Sequence, residues 1–319
     1  MVSEKNTDTL LISDKQIKHC MPMGDIVEIV DKTFIDMGTG GTINPTKLTL
    51  DLGEVNPYPP YEGFMNAMPA YIGWQDVAGL KWVGGFLGER KKAGFPYIVG
   101  MILLIDPHLG RFKAVLDGAY ITNMRTGAQT AVALSYLLEK KTLRLGLFGA
   151  GMQGHTQTLA IAERFEIEEL RIYDIRRAAA EKFAEDLKER IKHIIVCDKP
   201  EDAAIGDAVV TVTQSKDRFV KKEWIAPGTV FMPMGSYQEC ENDVLTSCDH
   251  IVVDHIGQAL HRGALKDLNR QGIITEQNIT ATIGELAAGQ KSCVLKRDER
   301  ILCIPIGTGA LDIAVAAEA

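Results

Sequence analysis

Up to about residue 118 the chain mixes short alternating apolar runs with one helical stripe. "DTLLIS" (8–13) predicts a short strand, and Ser13 with Gln16 has capping-box spacing. In "GDIVEIVDKTFIDMGTG", Ile26, Val27, Val30, Phe34 and Met37 recur at helical period, with Gly38 as the predicted stop. "TKLTLDL" (46–52) alternates like a half-buried strand. The glycine- and proline-rich "GEVNPYPPYEGF" (53–64) predicts a loop. "AGLKWVGGF" (78–86), "YIVGMILLID" (97–106) and "RFKAVLDG" (111–118) predict further strands.

From residue 119 the pattern changes. "AYITNMRTGAQTAVALSYLLEK" is a long helix with an apolar stripe through Ile121, Met124, Ala128, Val132 and Leu137. Continuous apolar strands follow at 143–149, 169–174, 193–197, 207–213, 229–235 and 250–254, with helical patterns in most of the gaps. That alternation predicts a parallel sheet covered on both faces. The chain ends in a strand, "RILCIPIG", and a helix, "TGALDIAVAAEA". The expected fold is therefore α/β: a Rossmann-type parallel-sheet domain over 119–299, and a mixed α/β domain over 1–118 completed by 300–319.

Composition narrows the possible partners. The chain has 319 residues, 46% of them hydrophobic and 24% charged, enough for two cores of ordinary soluble type. A net charge of −7 argues against nucleic-acid or anionic-membrane binding, whose surfaces are basic. "GERKKAG" (88–94) is the one basic cluster, and without interleaved aromatics it reads as a solvated loop. No apolar run is long enough to span a bilayer, and the polar, mixed-charge N-terminus does not read as a signal peptide. Six scattered cysteines without CxxC spacing predict reduced thiols in a cytoplasm, and no metal site is expected.

The strongest local signal is "LFGAGMQGHTQT" (147–158). Gly149, Gly151 and Gly154 form a GxGxxG turn at the end of a strand that opens an apolar helix. In such a turn the first glycine allows the bend, the second admits a pyrophosphate, and the third lets helix and strand pack closely. Met152 and Gln153 belong to the same candidate cofactor-binding turn, and His155 is expected to face the phosphates rather than a substrate. Asp174 ends the next strand, twenty residues after Gly154, where an acid binds the adenosine ribose. The expected cofactor is NAD or NADP. Asp174 favours NAD, although Arg176 and Arg177 follow at once and either can pair with a 2′-phosphate. Thr213 and Ser215, at the end of a later strand, read equally as cofactor-lining residues or as ordinary strand chemistry.

Two cations stand out before that turn. Lys81 lies inside an apolar strand, where an unpartnered ammonium is costly to bury, and Arg125 lies on the long helix. Directed at a nicotinamide, they make a site for an anionic substrate, most simply a carboxylate. On pattern alone the plainer reading is that both stems pack on apolar surface while both heads reach water.

"MPAYIGWQDVAGLKWVGGF", "AYITNMRTGAQTAVA", the glycine loop, "IGELAAG" and "GTGALDIAVAA" together resemble the ornithine cyclodeaminase/mu-crystallin family over nearly the whole chain. "MRTGA" and "LKWVGG" are the most specific of these segments. The resemblance implies NAD(P) in a Rossmann domain, a substrate domain closing over it, and a homodimer joined through the substrate domains. It also implies that Arg125 binds the substrate carboxylate and that Lys81 assists carboxylate binding or proton transfer. Lys47 falls where many members have a second carboxylate-binding arginine. Cyclodeaminases carry an acid after the fifth strand. Here "PMGSYQECEND" places Ser236 and Tyr237 there, with Glu239 and Glu241 as candidate substitutes.

The expected activity is therefore hydride transfer at the C–N carbon of a small carboxylate-bearing amino or imino acid. Ornithine cyclodeamination and non-catalytic NADPH-dependent ligand binding are the alternatives within the family. A hydroxy-acid oxidoreductase is a third, and it lacks its catalytic histidine here.

Overall fold

The computed structural model describes residues 8–53, 61–235 and 237–319, so most of the predicted 53–64 loop lies outside the described residues. The chain forms two compact units. One comprises residues up to Arg125 together with Thr308–Ala319, and the other comprises Thr126–Gly307.

The first unit is built on six strands: β1 (Leu10–Ile12), β2 (Leu48–Asp51), β3 (Gly63–Ile72), β4 (Val77–Phe86), β5 (Ile98–Asp106) and β6 (Arg111–Asp117). Their order is β1-β6-β5-β4-β3-β2, antiparallel except for the β1/β6 pair. One face is covered by the helix Met23–Thr39 and the C-terminal helix Gly309–Glu318, which pack on each other; the latter also lies over β3, β4 and β5. The first of these helices runs two residues past the predicted stop: Gly40, not Gly38, takes the left-handed cap at φ 83°.

β3 begins inside the stretch that the sequence marks as a loop. Asn66 and Pro69 disguise it, but Pro69 costs the sheet nothing. The Tyr71 N–H points to the outer side, donating to Ile43 O at 2.9 Å. Pro69, two residues earlier, turns its nitrogen the same way, beyond Ala67, the last residue that β2 pairs.

The second unit contains β7 (Thr142–Phe148), β8 (Glu166–Tyr173), β9 (Ile194–Val196), β10 (Ala208–Thr211), β11 (Thr229–Pro233), β12 (His250–Val253), β13 (Ala281–Thr282) and β14 (Arg300–Ile304). All pair in parallel, in the order β13-β12-β14-β11-β10-β7-β8-β9. The winding reverses between β7 and β10, and at such a switch point ligands collect beyond the carboxyl ends of the strands. β14 lies at the heart of this sheet and corrects the expectation that 300–319 returns whole to the first domain. From Ile301 to Ile304 its residues are continuously apolar and buried, as a parallel strand between two others requires. Only Thr308–Ala319 joins the first unit, and the helix Ala119–Leu137 contains the other crossing, at Arg125.

Among the described residues no helix is long and apolar enough to cross a membrane, and no group of His, Cys, Asp or Glu is arranged to hold a metal ion.

Candidate active site

From Val77 to Val83 β4 alternates, so Val77, Gly79, Lys81 and Val83 share its buried face while Trp82 points the other way. Lys81 pairs across the sheet with Met68 and Ile102, both buried, and is itself 0% exposed. Its head does not reach water, so it does not snorkel. The C-terminal helix supplies its partner. Gly309 lets that helix approach β3 so closely that a Cβ there would stand 2.5 Å from the Met68 carbonyl oxygen. One turn later comes Asp312, also 0% exposed.

Lys81 Nζ donates to Asp312 Oδ1 at 2.6 Å, and Arg125 Nε donates to the same oxygen at 3.0 Å. Asp312 Oδ2 is buried without a hydrogen-bond partner. Burial lowers the Lys81 pKa to about 7; Asp312 opposes that shift, while the charges of Arg125 and Lys47 add to it. Lys47 immediately precedes β2, and nearby Asn44 accepts the Ala310 N–H at 3.1 Å, tying this segment to the helix that carries Asp312. The first unit thus brings Lys81 and Arg125 together, with Lys47 in electrostatic reach. Sequence reasoning missed Asp312. Its signal was an acid inside the otherwise apolar "GALDIAVAA", where a carboxylate is affordable only with a partner.

In the second unit each motif glycine has a separate physical reason. Gly149 takes φ 106°, which disfavours any side chain. A Cβ on Gly154 would stand 2.2 Å from the Gly149 oxygen. Gly151 caps the helix Met152–Arg164 and faces open space, with nothing within 4 Å of a Cβ position. Backbone N–H groups at a helix start with room before them form the cradle a pyrophosphate needs. The residues present therefore fit a dinucleotide. Met152, at the first helical position, is exposed, and Gln153 follows it on the same turn.

Asp174 sits directly after β8. Its Oδ2 accepts the Ala150 N–H and its Oδ1 the Arg176 N–H, both at 2.9 Å, which leaves each oxygen a further lone pair. Arg176 carries its guanidinium at the surface, its Nε 3.7 Å from Asp174 Oδ1. Arg177 instead pairs with Glu181 and Asp198. His155 departs from expectation. Its Nδ1 lies 3.0 Å from the Gly151 oxygen and its ring packs edge-on against Phe183. The imidazole is thus used within the helix and its neighbour.

The ends of β10 and β11 are joined by Glu239, which is 0% exposed. Oε2 accepts the Thr211 hydroxyl at 2.7 Å and the Gly235 N–H at 3.1 Å; Oε1 accepts the Thr213 hydroxyl at 2.5 Å and its N–H at 2.8 Å. Burial raises the Glu239 pKa despite these bonds. Glu239 therefore serves as an internal tie. The Thr213 hydroxyl accepts the Ser215 N–H, and the Ser215 hydroxyl is spent on Asp217, so both side chains shape the turn after β10. Glu241 precedes the short helix Asn242–Thr246, Tyr237 is exposed, and Ser236 lies outside the described residues.

The sequence profile of the ornithine cyclodeaminase/mu-crystallin family matches residues 8–317. The alanine dehydrogenase of Archaeoglobus fulgidus is 32% identical, over 97% of this chain and 93% of its own. The rat ketimine reductase mu-crystallin is 29% identical, over 79% of this chain and 77% of its own. The Thermococcus litoralis Δ1-pyrroline-2-carboxylate reductase, solved with NADH and L-proline, superimposes with a TM-score of 0.89 at 28% identity, covering 97% of this chain and 96% of that one.

Proposed function

This chain belongs to the ornithine cyclodeaminase/mu-crystallin family, and we propose that it is an NAD(P)-dependent oxidoreductase that interconverts a carboxylate-bearing amino acid and the corresponding imino acid. A bound nicotinamide supplies the hydride that reaches the C=N carbon, or accepts it in the reverse direction. The chain's own residues hold the substrate and manage one proton. Arg125, oriented through Nε by Asp312, grips the carboxylate, and Lys81 and Lys47 add positive charge around it. In reduction the Lys81 ammonium gives its proton to the substrate nitrogen and becomes a neutral amine; in oxidation the neutral amine takes that proton back.

The observation that carries this reading is the buried contact of Lys81 and Arg125 on one carboxylate oxygen, with the lysine held at a pKa of about 7. An ordinary lysine, near 10.5, is a poor proton donor and acceptor at neutral pH; one near 7 serves in both directions. Glu239, bonded at both oxygens within the second unit, gives no support to its use as the acid of a cyclodeaminase.

Three finer points belong to the same proposal. NAD is preferred, because Asp174 repels a 2′-phosphate while its oxygens retain room for ribose hydroxyls. The protein works in the cytoplasm, its cysteines being free thiols among the described residues. It is a homodimer, as supported by the sheet face opposite the helices, where Leu48, Leu50, Trp82, Met101 and Leu11 stay exposed and aligned. An apolar face of that extent marks an interaction surface.

The test is a substrate panel on purified protein. NADH or NADPH is supplied with pyrroline-2-carboxylate, piperideine-2-carboxylate or pyruvate plus ammonia, and ornithine with catalytic NAD runs in parallel. Stoichiometric loss of the reduced cofactor with an imino acid is the expected result. Proline and ammonia from ornithine, without net NADH, would overturn it.

A further inference from the structure

We infer that Asp312 is the positioning residue of this site: one of its oxygens holds the Lys81 amine and the Arg125 guanidinium at a common point, so a single side chain sets both the proton donor and the carboxylate grip. The inference rests on the reaction proposed above, but its observations are separate. Asp312, Lys81 and Arg125 come from three elements distant in sequence, the C-terminal helix, β4 and the helix Ala119–Leu137. Both cations meet Oδ1, at 2.6 and 3.0 Å, where Lys81 and Asp312 are fully buried and Arg125 nearly so.

A purely structural ion pair would be built differently. Burying charge is costly, and well-packed apolar side chains of the same volume are commonly as stable or more so. Where burial is offset, both carboxylate oxygens are normally bonded, yet Asp312 Oδ2 is buried without a partner. The arrangement spends stability on holding two cations side by side.

The electrostatics explain what is gained. The charged groups acting on Lys81 are Asp312 on the C-terminal helix, Arg125 on the long helix, and Lys47 before β2. Of these, Asp312 holds the proton on Lys81, while the charges of Arg125 and Lys47 favour its loss. Asp312 restrains that loss through the one oxygen it shares between Lys81 and Arg125. Asp312 thus acts through Lys81 and Arg125 and takes no part in bond changes.

The experiment titrates Lys81 directly in the full-length protein, by NMR of lysines labelled with carbon-13 at the ε position and without substrate. The Lys81→Arg spectrum assigns the signal. The wild type should show a Lys81 midpoint at about 7. Asp312→Asn should lower it by one pH unit or more, a change of at least about tenfold in the acid constant, and should move the pH limb of the reductive kcat/KM by the same amount. Loss of packing alone would admit water and move the midpoint the other way, upward. Arg125→Gln gives the converse test, because Oδ1 then serves Lys81 alone and the midpoint should rise; it also applies if Asp312→Asn does not fold. An unmoved midpoint in the folded variants would overturn the inference even in an enzyme that turns over imino acids. A shifted midpoint in a protein inert toward every imino acid would uphold the coupling while removing the proposed function.

Discussion

Lys81 Nζ lies 2.6 Å from Asp312 Oδ1, although 231 positions separate the two residues in sequence. That contact turns a lysine inside an apolar strand from an energetic liability into a proton carrier, and most of the expected behaviour follows from it.

The two reaction directions should have opposite pH limbs near neutrality. Reduction needs the Lys81 ammonium, so its kcat/KM should fall as pH rises through about 7; oxidation needs the free amine and should rise over the same range. Steady-state profiles in both directions check this, and Lys81→Met should lower the rate by about 100- to 10,000-fold and flatten the limb.

Stability should carry the same signature. The Lys81 pKa in the folded state lies below its ordinary value of 10.5. Between about 7 and 10.5 the unfolded chain therefore binds more protons, and this lysine's contribution to stability rises with pH across that window. Urea denaturation of wild type and Lys81→Met at pH 7 and pH 9 checks it: wild type should gain on the variant as pH rises.

Arg125→Lys should keep the charge but lose the fork. A charge-assisted hydrogen bond is worth about 1.5–3 kcal/mol, so KM for the carboxylate substrate should rise about 10- to 100-fold. The affinity for NADH, measured by fluorescence, should be nearly unchanged. Equal loss of both would remove Arg125 from the substrate.

Asp174→Ser should shift cofactor preference toward NADP. The anion that repels a 2′-phosphate is gone, the Ala150 N–H keeps a hydroxyl acceptor, and exposed Arg176 remains to meet the phosphate. The NADP-to-NAD ratio of kcat/KM should rise about 10- to 100-fold, the size of one or two charged hydrogen bonds. An unchanged ratio would mean that Asp174 does not contact the ribose.

Glu239→Ala should destabilise the second unit through its sheet edge. It leaves the hydroxyls of Thr211 and Thr213 and the N–H groups of Thr213 and Gly235 without their acceptor. Stranding buried donors costs about 1–3 kcal/mol each and is not additive, so a total loss of roughly 3 kcal/mol in chemical denaturation is expected. Glu239→Gln should lose less than half of that. A large drop in turnover by a fully stable Glu239→Gln would instead point to a chemical role.

The second unit was the more legible half. Its central strands, β10, β11 and β14, are buried on both faces, and its turn residues are confined to a few conformations, so pattern and position coincide there. β14 was misassigned because a buried strand reads the same in either sheet; only its pairing with β11 and β12 decides. β3 was hidden by Pro69, which is harmless only because its nitrogen points past the end of β2. Lys81 and Arg125 could be named from the chain, but their burial could not, because Asp312 comes from the far end of the sequence. The His155 imidazole fell outside expectation for a related reason: its ring packs on Phe183, a partner that helical spacing does not reveal.

The most direct test follows the hydride itself. NADH carrying deuterium at both C4 positions is supplied with a cyclic imino acid, and the product is analysed by mass and NMR. One deuterium at the α-carbon for each cofactor oxidised is the predicted result. Product without that label, or amino acid formed with no net oxidation of NADH, would contradict the account.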